Sequence, residues 1–354
     1  MNLTYELVSQ THTAIAPHTI RTPTVPATRL SLQLGIDLHL KLENRQHTNA
    51  FKSRGALAKL LTLTDAQKAA GVIACSAGNH AQGVAYHATR LGITSTIVMP
   101  ESTPFNKVKN TEDFGAKVIQ YGTGFDDSVQ YTMDLAARDG LTFIHPFDDP
   151  IVAAGQGTVA IEMIEDCPDL DVIVVPIGGG GLIAGMAPSN VDIIKQHVTR
   201  IDVASETAIE AAVFDLLSSE KLVAEGAPGA GLAVIKNNLD AYRGKKVGLV
   251  ICGGNIDSRL LSTLILRGLV RDGRITRLTF EINDTPGQLA DISRIIGESG
   301  ANVVEVIHQR MMQSVSLKQA ELDVVIEARD IGHVEEIVGT LRGRGFKLRT
   351  DSGV

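Results

Sequence analysis

The chain of 354 residues has no tryptophan, and aromatic residues make up only 4% of it. It therefore offers little with which to stack bases or sugar rings. Its three cysteines, Cys75, Cys167 and Cys252, are odd in number and far apart. No CxxC or Cys/His spacing joins them, which excludes a disulfide framework and a zinc ribbon. Excess basic charge is also missing. A net charge of −7 and a pI near 5.8 have the wrong sign for a nucleic-acid surface or an anionic membrane. The longest apolar run, 172–187, is interrupted by Pro176 and by five glycines and is too short to span a bilayer. Residues 1–20 show neither a basic nor an apolar leader region, so a cytoplasmic, reduced protein is expected.

What the chain does have is glycine, 34 residues of it, within a globular balance of 44% hydrophobic and 21% charged residues. Its length favours two domains. Residues 1–270 alternate β-rich apolar runs (38–42, 72–75, 95–99, 117–120, 141–144, 171–176, 247–252) with helix-period segments (50–61, 79–91, 105–114, 125–139). Gly92, Gly115 and Gly140 stand where such helices stop. This pattern predicts an α/β fold with an open, mostly parallel sheet covered on both faces. After a polar connector at 270–275 the order becomes β-α-β-β-α-β over 275–354, a ferredoxin-like unit. Its first helix, 286–299, places Leu289, Ile292 and Ile296 on one stripe.

Four segments of the first part could carry chemistry. Lys52 follows Asn49-Ala50-Phe51 at a helix start, where apolar neighbours can desolvate its amine and make it a nucleophile toward carbonyls; alone, a snorkelling surface lysine is the commoner reading. Ser76-Ala77-Gly78-Asn79-His80 leads from a strand into a helix whose first amides can bind an anion, unless Ser76 or Asn79 merely caps it. Gly178-Gly179-Gly180-Gly181 and Leu182 follow the next strand and can wrap a phosphate. No Gly-Lys-Ser/Thr follows, so this is not a Walker loop. Gly179, Gly181 and Ala184 also fit a loose dinucleotide fingerprint, with Asp202 near the expected ribose acid. Cys252-Gly253-Gly254-Asn255 closes another strand, and Cys252 is either a core thiol or a partner for a ring nitrogen. Three of these segments fall at the carboxyl ends of strands, the ligand edge of an open α/β sheet. Together an amine, an anion loop and a phosphate loop suit pyridoxal 5′-phosphate.

These strings resemble the threonine ammonia-lyase (threonine dehydratase) family of fold-type II pyridoxal-phosphate enzymes. Further matches are Lys41-Leu42-Glu43-Asn44, Ser53-Arg54-Gly55, Ala81-Gln82-Gly83, His145-Pro146-Phe147-Asp148-Asp149 and Gly155-Gln156-Gly157-Thr158. The resemblance covers about 15–268, and 277–350 resembles an ACT domain, the amino-acid-sensing ferredoxin-like module. It implies a catalytic domain over 1–270 and a regulatory domain over 275–354. Lys52 would hold the cofactor covalently and take the substrate's Cα proton. Phe51, Asn79, Gly178 to Gly181, Leu182 and Cys252 would surround the cofactor. The Ser76, Ala77, Gly78, Asn79 and His80 segment would take the substrate carboxylate, with Glu225 an acid nearby. The implied reaction turns L-threonine, and L-serine, into an oxo acid and ammonia, a step of isoleucine biosynthesis.

In the ACT-like part, Asp284, Gly287 and Leu289 resemble an effector loop for isoleucine or valine, and a homodimer or homotetramer is implied. Serine racemases and hydroxyaspartate ammonia-lyases resemble the same strings. Racemases place a second acid/base serine where this chain has Ala77. A nicotinamide oxidoreductase and a catalytically impaired amino-acid sensor are the readings from other classes. One departure stands out: Met186 to Asp192 passes almost directly where the family continues for several dozen residues, so the resemblance implies no metal ligands here.

Overall fold

A computed structural model describes residues 3–186, 198–283, 285–309 and 319–351. The segment 187–192, where the chain departs from the family, and the effector candidate Asp284 lie outside the described residues. The chain divides into two compact units, Met1–Ile256 and Asp257–Val354, so the helix Ser258–Arg271 belongs with the second. Among the described residues no helix is long and apolar enough to cross a membrane.

The strands of the first unit are β1 (Thr24–Pro26), β2 (Asp37–Lys41), β3 (Val72–Cys75), β4 (Ser95–Met99), β5 (Lys117–Gln120), β6 (Thr142–Phe143), β7 (Val172–Val174) and β8 (Lys246–Val250). They form two four-stranded sheets, β1-β2-β8-β7 and β5-β4-β3-β6. Every neighbouring pair is parallel except β1 with β2. The alternation in the sequence is thus shared between two sheets, each with its own apolar core. Leu38, Leu40 and Leu249 pack with Leu216 and Leu232 around the first. Val72, Ala74, Ile97 and Met99 pack with Ala81, Val84 and Ala88 around the second. Every residue of β3 and β4 is buried, as expected of parallel strands covered on both faces.

The helix Pro150–Asp166 lies between these parts. Asp149 caps it, its carboxylate accepting from the Ile151 and Val152 amides at 2.8 and 3.1 Å, and Pro150 occupies the first helical position. Glycine lets it approach two other helices at backbone distance. A Cβ on Gly155 would lie 2.6 Å from the Gly55 Cα in the helix Lys52–Leu61. A Cβ on Gly157 would lie 2.1 Å from the Gly185 carbonyl oxygen in the helix Gly181–Met186.

A buried ionic network joins the same pieces. Arg54 donates from Nε and Nη2 to both oxygens of Glu43, each at 2.8 Å, and from Nη1 and Nη2 to both oxygens of Glu162, each at 2.7 Å. Lys41 donates to Glu162 at 2.6 Å and to the Thr22 carbonyl at 2.5 Å. The Thr22 hydroxyl donates to Glu43. Two cations and two carboxylates cancel, which is what makes their burial tolerable.

The second unit continues from the helix Ser258–Arg271 through β9 (Ile275–Asn283), the helix Gln288–Glu298, β10 (Asn302–Gln309), β11 (Gln319–Glu327), the helix Ile331–Gly343 and β12 (Lys347–Asp351). Its sheet is antiparallel throughout, in the order β10-β11-β9-β12. Leu278, Phe280 and Ile282 face Ile292, Ile295, Ile296, Ile337 and Leu341. Leu289, expected on the buried stripe, is instead 37% exposed. It lies in the first turn, and the stripe runs through Ile292, Ile295 and Ile296.

Replacing Glu162 by glutamine leaves Lys41 and Arg54 short of one negative charge. The expected loss is about 3–5 kcal/mol, read as a fall in the urea midpoint. Glu165→Gln, in an exposed pair with Arg21, should cost at most about 1 kcal/mol. Burial alone would raise the Glu162 carboxyl, but Arg54 and Lys41 outweigh it and hold it below its ordinary value of 4.5. Its contribution is therefore present at neutral pH and is lost as pH falls below that value through the folded pKa. The gap between wild type and Glu162→Gln should close in acid.

Candidate active site

Lys52 opens its helix directly after Phe51, which packs with Leu182 and Cys252 in one apolar cluster. The amine donates to the Pro146 carbonyl at 2.7 Å and lies 5.2 Å from the centre of the Phe51 ring. Neither partner is a carboxylate. Burial pushes the amine down to about 8. A large share of Lys52 is then neutral, and so nucleophilic, in a range where an ordinary lysine is protonated.

The turn 76–78 carries the chain from β3 into the helix Asn79–Arg90. Its N-cap is Gly78, and no side chain caps the first turn. Ser76 Oγ instead accepts from the Gly78 amide at 3.3 Å and tightens the turn. The first helical amides are thus left for a bound anion. Asn79 is held at both ends: its Nδ2 donates to Glu225 at 2.8 Å, and its Oδ1 accepts from Asn255 Nδ2 at 2.7 Å. Ala77 is half-buried. His80 is buried and donates from Nε2 to the Ile144 carbonyl at 2.9 Å. Burial, and then the charge of Lys52, push it down to about 3, so its ring is neutral and structural.

In the glycine run, Gly178 and Gly179 are exposed, while Gly181 and Leu182 are buried. Gly180 is left-handed, at φ +83°. Phe147 forms one wall: a Cβ on Gly179 would come within 2.6 Å of its ring, and one on Gly181 within 2.8 Å of its Cβ. Among the described residues nothing lies within 4 Å of the Cβ positions of Gly178 and Gly180. Pro146 holds the lysine amine and Phe147 touches the glycine run, so these adjacent residues connect the two.

Cys252 follows β8, and its carbonyl accepts from the Phe51 amide at 3.0 Å. Its side chain is buried, and burial pushes the thiol above its ordinary range, so it is neutral. The Glu225 amide donates to the Gly253 carbonyl at 3.1 Å, and a Cβ on Gly253 would sit 2.3 Å from Glu225 Oε1. Burial raises the Glu225 carboxyl, and the bond from Asn79 opposes it.

These residues fit pyridoxal phosphate: a desolvated amine that has no carboxylate partner among the described residues, a glycine cradle that side chains would fill, and a neutral buried thiol. Of the sequence candidates, Phe51, Lys52, Ser76 to His80, Gly178 to Leu182, Cys252 and Glu225 come together through these contacts. Asp202 is paired with Arg200 at 2.7 Å. In the second unit, Gly287 is left-handed at φ +98° and caps the helix Gln288–Glu298. Sequence reasoning missed the roles of Pro146, Phe147 and Asn255. All three lay inside quoted motifs, so the signal was present without its geometry.

In protein free of cofactor, Lys52 should react with a small aldehyde under reductive conditions with a midpoint near pH 8. Exposed lysines should follow their ordinary value of about 10.4. Peptide mapping across a pH series measures both, and a Lys52 midpoint no lower than theirs would contradict the desolvation described here.

The family model "Pyridoxal-phosphate dependent enzyme" matches residues 15–189. The L-threonine ammonia-lyase of Thermotoga maritima is 37% identical over 380 aligned positions, covering 93% of this chain and 94% of that protein. Since 93% of 354 residues falls well short of 380 positions, several dozen positions of the alignment have no counterpart here. Among solved structures, a threonine deaminase from T.th. superposes with a TM-score of 0.68 at 31% identity, covering 72% of this chain and 99% of that one. Maize serine racemase does so at 0.69 and 26%, covering 75% and 99%. The chain belongs to the pyridoxal-phosphate-dependent threonine ammonia-lyase family.

Proposed function

We propose that this enzyme dehydrates and deaminates L-threonine, and L-serine, to 2-oxobutanoate or pyruvate and ammonia. The observation that carries this reading is Lys52, a desolvated amine whose hydrogen-bond partner is a carbonyl. Bound at this site, pyridoxal phosphate supplies a conjugated ring that accepts the electrons released at the substrate Cα. Gly178 to Gly181 and the Leu182 amide would hold its phosphate, Asn79 its 3-oxygen, Phe51 its flank and Cys252 its ring nitrogen. Lys52 Nζ takes the Cα proton, as a base with a pKa near 8 can do at neutral pH. The open first turn of the helix Asn79–Arg90 orients the substrate carboxylate. A neutral thiol at Cys252, unlike a carboxylate, has no charge with which to keep a ring nitrogen protonated.

The similarity to serine racemases raises a second reading, but Ala77 has no proton to give from the opposite face. Dehydration is therefore preferred. We place amino-acid control in the second unit, at Gly287 and Leu289 with Asp284, for isoleucine or valine acting on a homodimer or homotetramer. The antiparallel βαββαβ topology supports this reading as an ACT domain. The T.th. threonine deaminase is spanned almost entirely by 72% of this chain, which supports placing catalysis in the first unit. We place the missing alignment positions near 187–192. Two observations support this: the family match stops at residue 189 although the first unit continues to Ile256, and apolar cavities of about 560 and 420 Å³ lie beside the edge strand β7, both lined by Ile173, Val175 and Ile183.

Lys52→Ala should abolish oxo-acid formation from L-threonine and the yellow colour of the reconstituted protein. Colour and turnover surviving in this variant would refute the assignment. Deleting residues 275–354 should leave turnover in place while removing any response to isoleucine or valine. A truncated enzyme that still responds would move the effector site to the first unit.

A further inference from the structure

A second pairing of nucleophile and base lies at the other end of the strands. Glu43 and Cys252 follow the carboxyl ends of β2 and β8, whereas Asp37 and Lys246 open these strands and sit opposite each other in register. Beside them Cys167 ends the helix Pro150–Asp166. Its Sγ lies 3.4 Å from His39 Nδ1, and His39 Nε2 lies 2.9 Å from Asp37 Oδ1. A carboxylate can only accept, so Nε2 carries the proton and Nδ1 turns a lone pair to the thiol. Nucleophile, base and orienting carboxylate are thus in line.

The other two cysteines differ. Cys252 is packed among apolar side chains, and Cys75 lies within an all-buried strand; each is 2% exposed, against 8% for Cys167. Of the charges around Cys167, Lys246 acts most strongly on the thiol, ahead of Asp169, Asp37 and Asp166; Lys246 pairs with Asp169 and Arg21 with Asp166, each at 2.6 Å.

We propose that Cys167 is a thiol–disulfide exchange site for small disulfides, with His39 as its base and Asp37 as the residue that positions that base. The Sγ proton passes to His39 Nδ1 as Sγ attacks one sulfur of the disulfide. The old S–S bond breaks, a mixed disulfide forms on Cys167, and the departing thiolate takes the proton from His39. Cys167 is oxidised and one half of the reagent is reduced, so no further oxidant is needed. Burial and the surrounding carboxylates hold the free thiol above its ordinary range, so the thiolate is not present at rest and removal of the proton falls to the imidazole.

The test is to treat native holoenzyme with cystamine and to follow the adduct on each cysteine by peptide mass mapping. Cys167 should be modified at least about tenfold faster than Cys75 or Cys252. His39→Gln should slow it about tenfold while basal turnover and circular dichroism stay unchanged. Asp37→Asn, at a largely exposed carboxylate, should slow it to a lesser degree and serves as the readout if His39→Gln does not fold. An unmodified Cys167, or a rate that neither substitution changes, would reduce the trio to packing and overturn the proposal.

Discussion

Arg54 is the residue on which the first unit is assembled. Its guanidinium makes its four shortest bonds to two buried carboxylates, Glu43 just past β2 and Glu162 on the helix Pro150–Asp166, and also donates to the Thr158 hydroxyl at 3.1 Å. Lys41 completes the neutral set from the end of β2. Because Arg54 stands two residues after Lys52, this network also fixes where the lysine helix begins. Such bonds are directional, so they select one arrangement of strand and helices where apolar contact alone would tolerate several.

Around the amine the structure does the opposite and removes charge. His80 is neutral and Cys252 is a neutral thiol. The amine of Lys52 meets a carbonyl and a ring face. Full pairing of the charges a few residues away and none at the reactive nitrogen are two uses of one low-dielectric interior. Paired ions there gain rigidity, and an unpaired amine holds its proton less tightly.

Much of this was legible in the sequence. The bounds of β3 and β4 match the runs 72–75 and 95–99, because both strands are buried throughout; β5 matches 117–120 although its end residues are exposed, and Gly115 marks its start by ending the segment before it. The helix Pro150–Asp166 was not assigned. It is buried along much of its length, so it shows no amphipathic stripe, and its glycines argue locally against a helix. The division into two sheets was hidden as well, since alternation reveals the order of elements but not which strands pair. Lys52, the turn 76–80 and the glycine run stood out as motifs. Their joining through Pro146, Phe147 and Asn255 depends on residues far apart in the chain, and only the folded backbone brings them together.

The helix Pro150–Asp166 acts as a gauge block. On one side Gly155 rests on Gly55, and on the other Gly157 meets the backbone of Gly185. The separation between the lysine and the glycine run is thus set by stacked peptide groups, which have no rotamers to relax. A methyl group added in either seam changes that spacing directly. The dimension that must match a cofactor of fixed length is therefore held by the least compliant material the chain possesses.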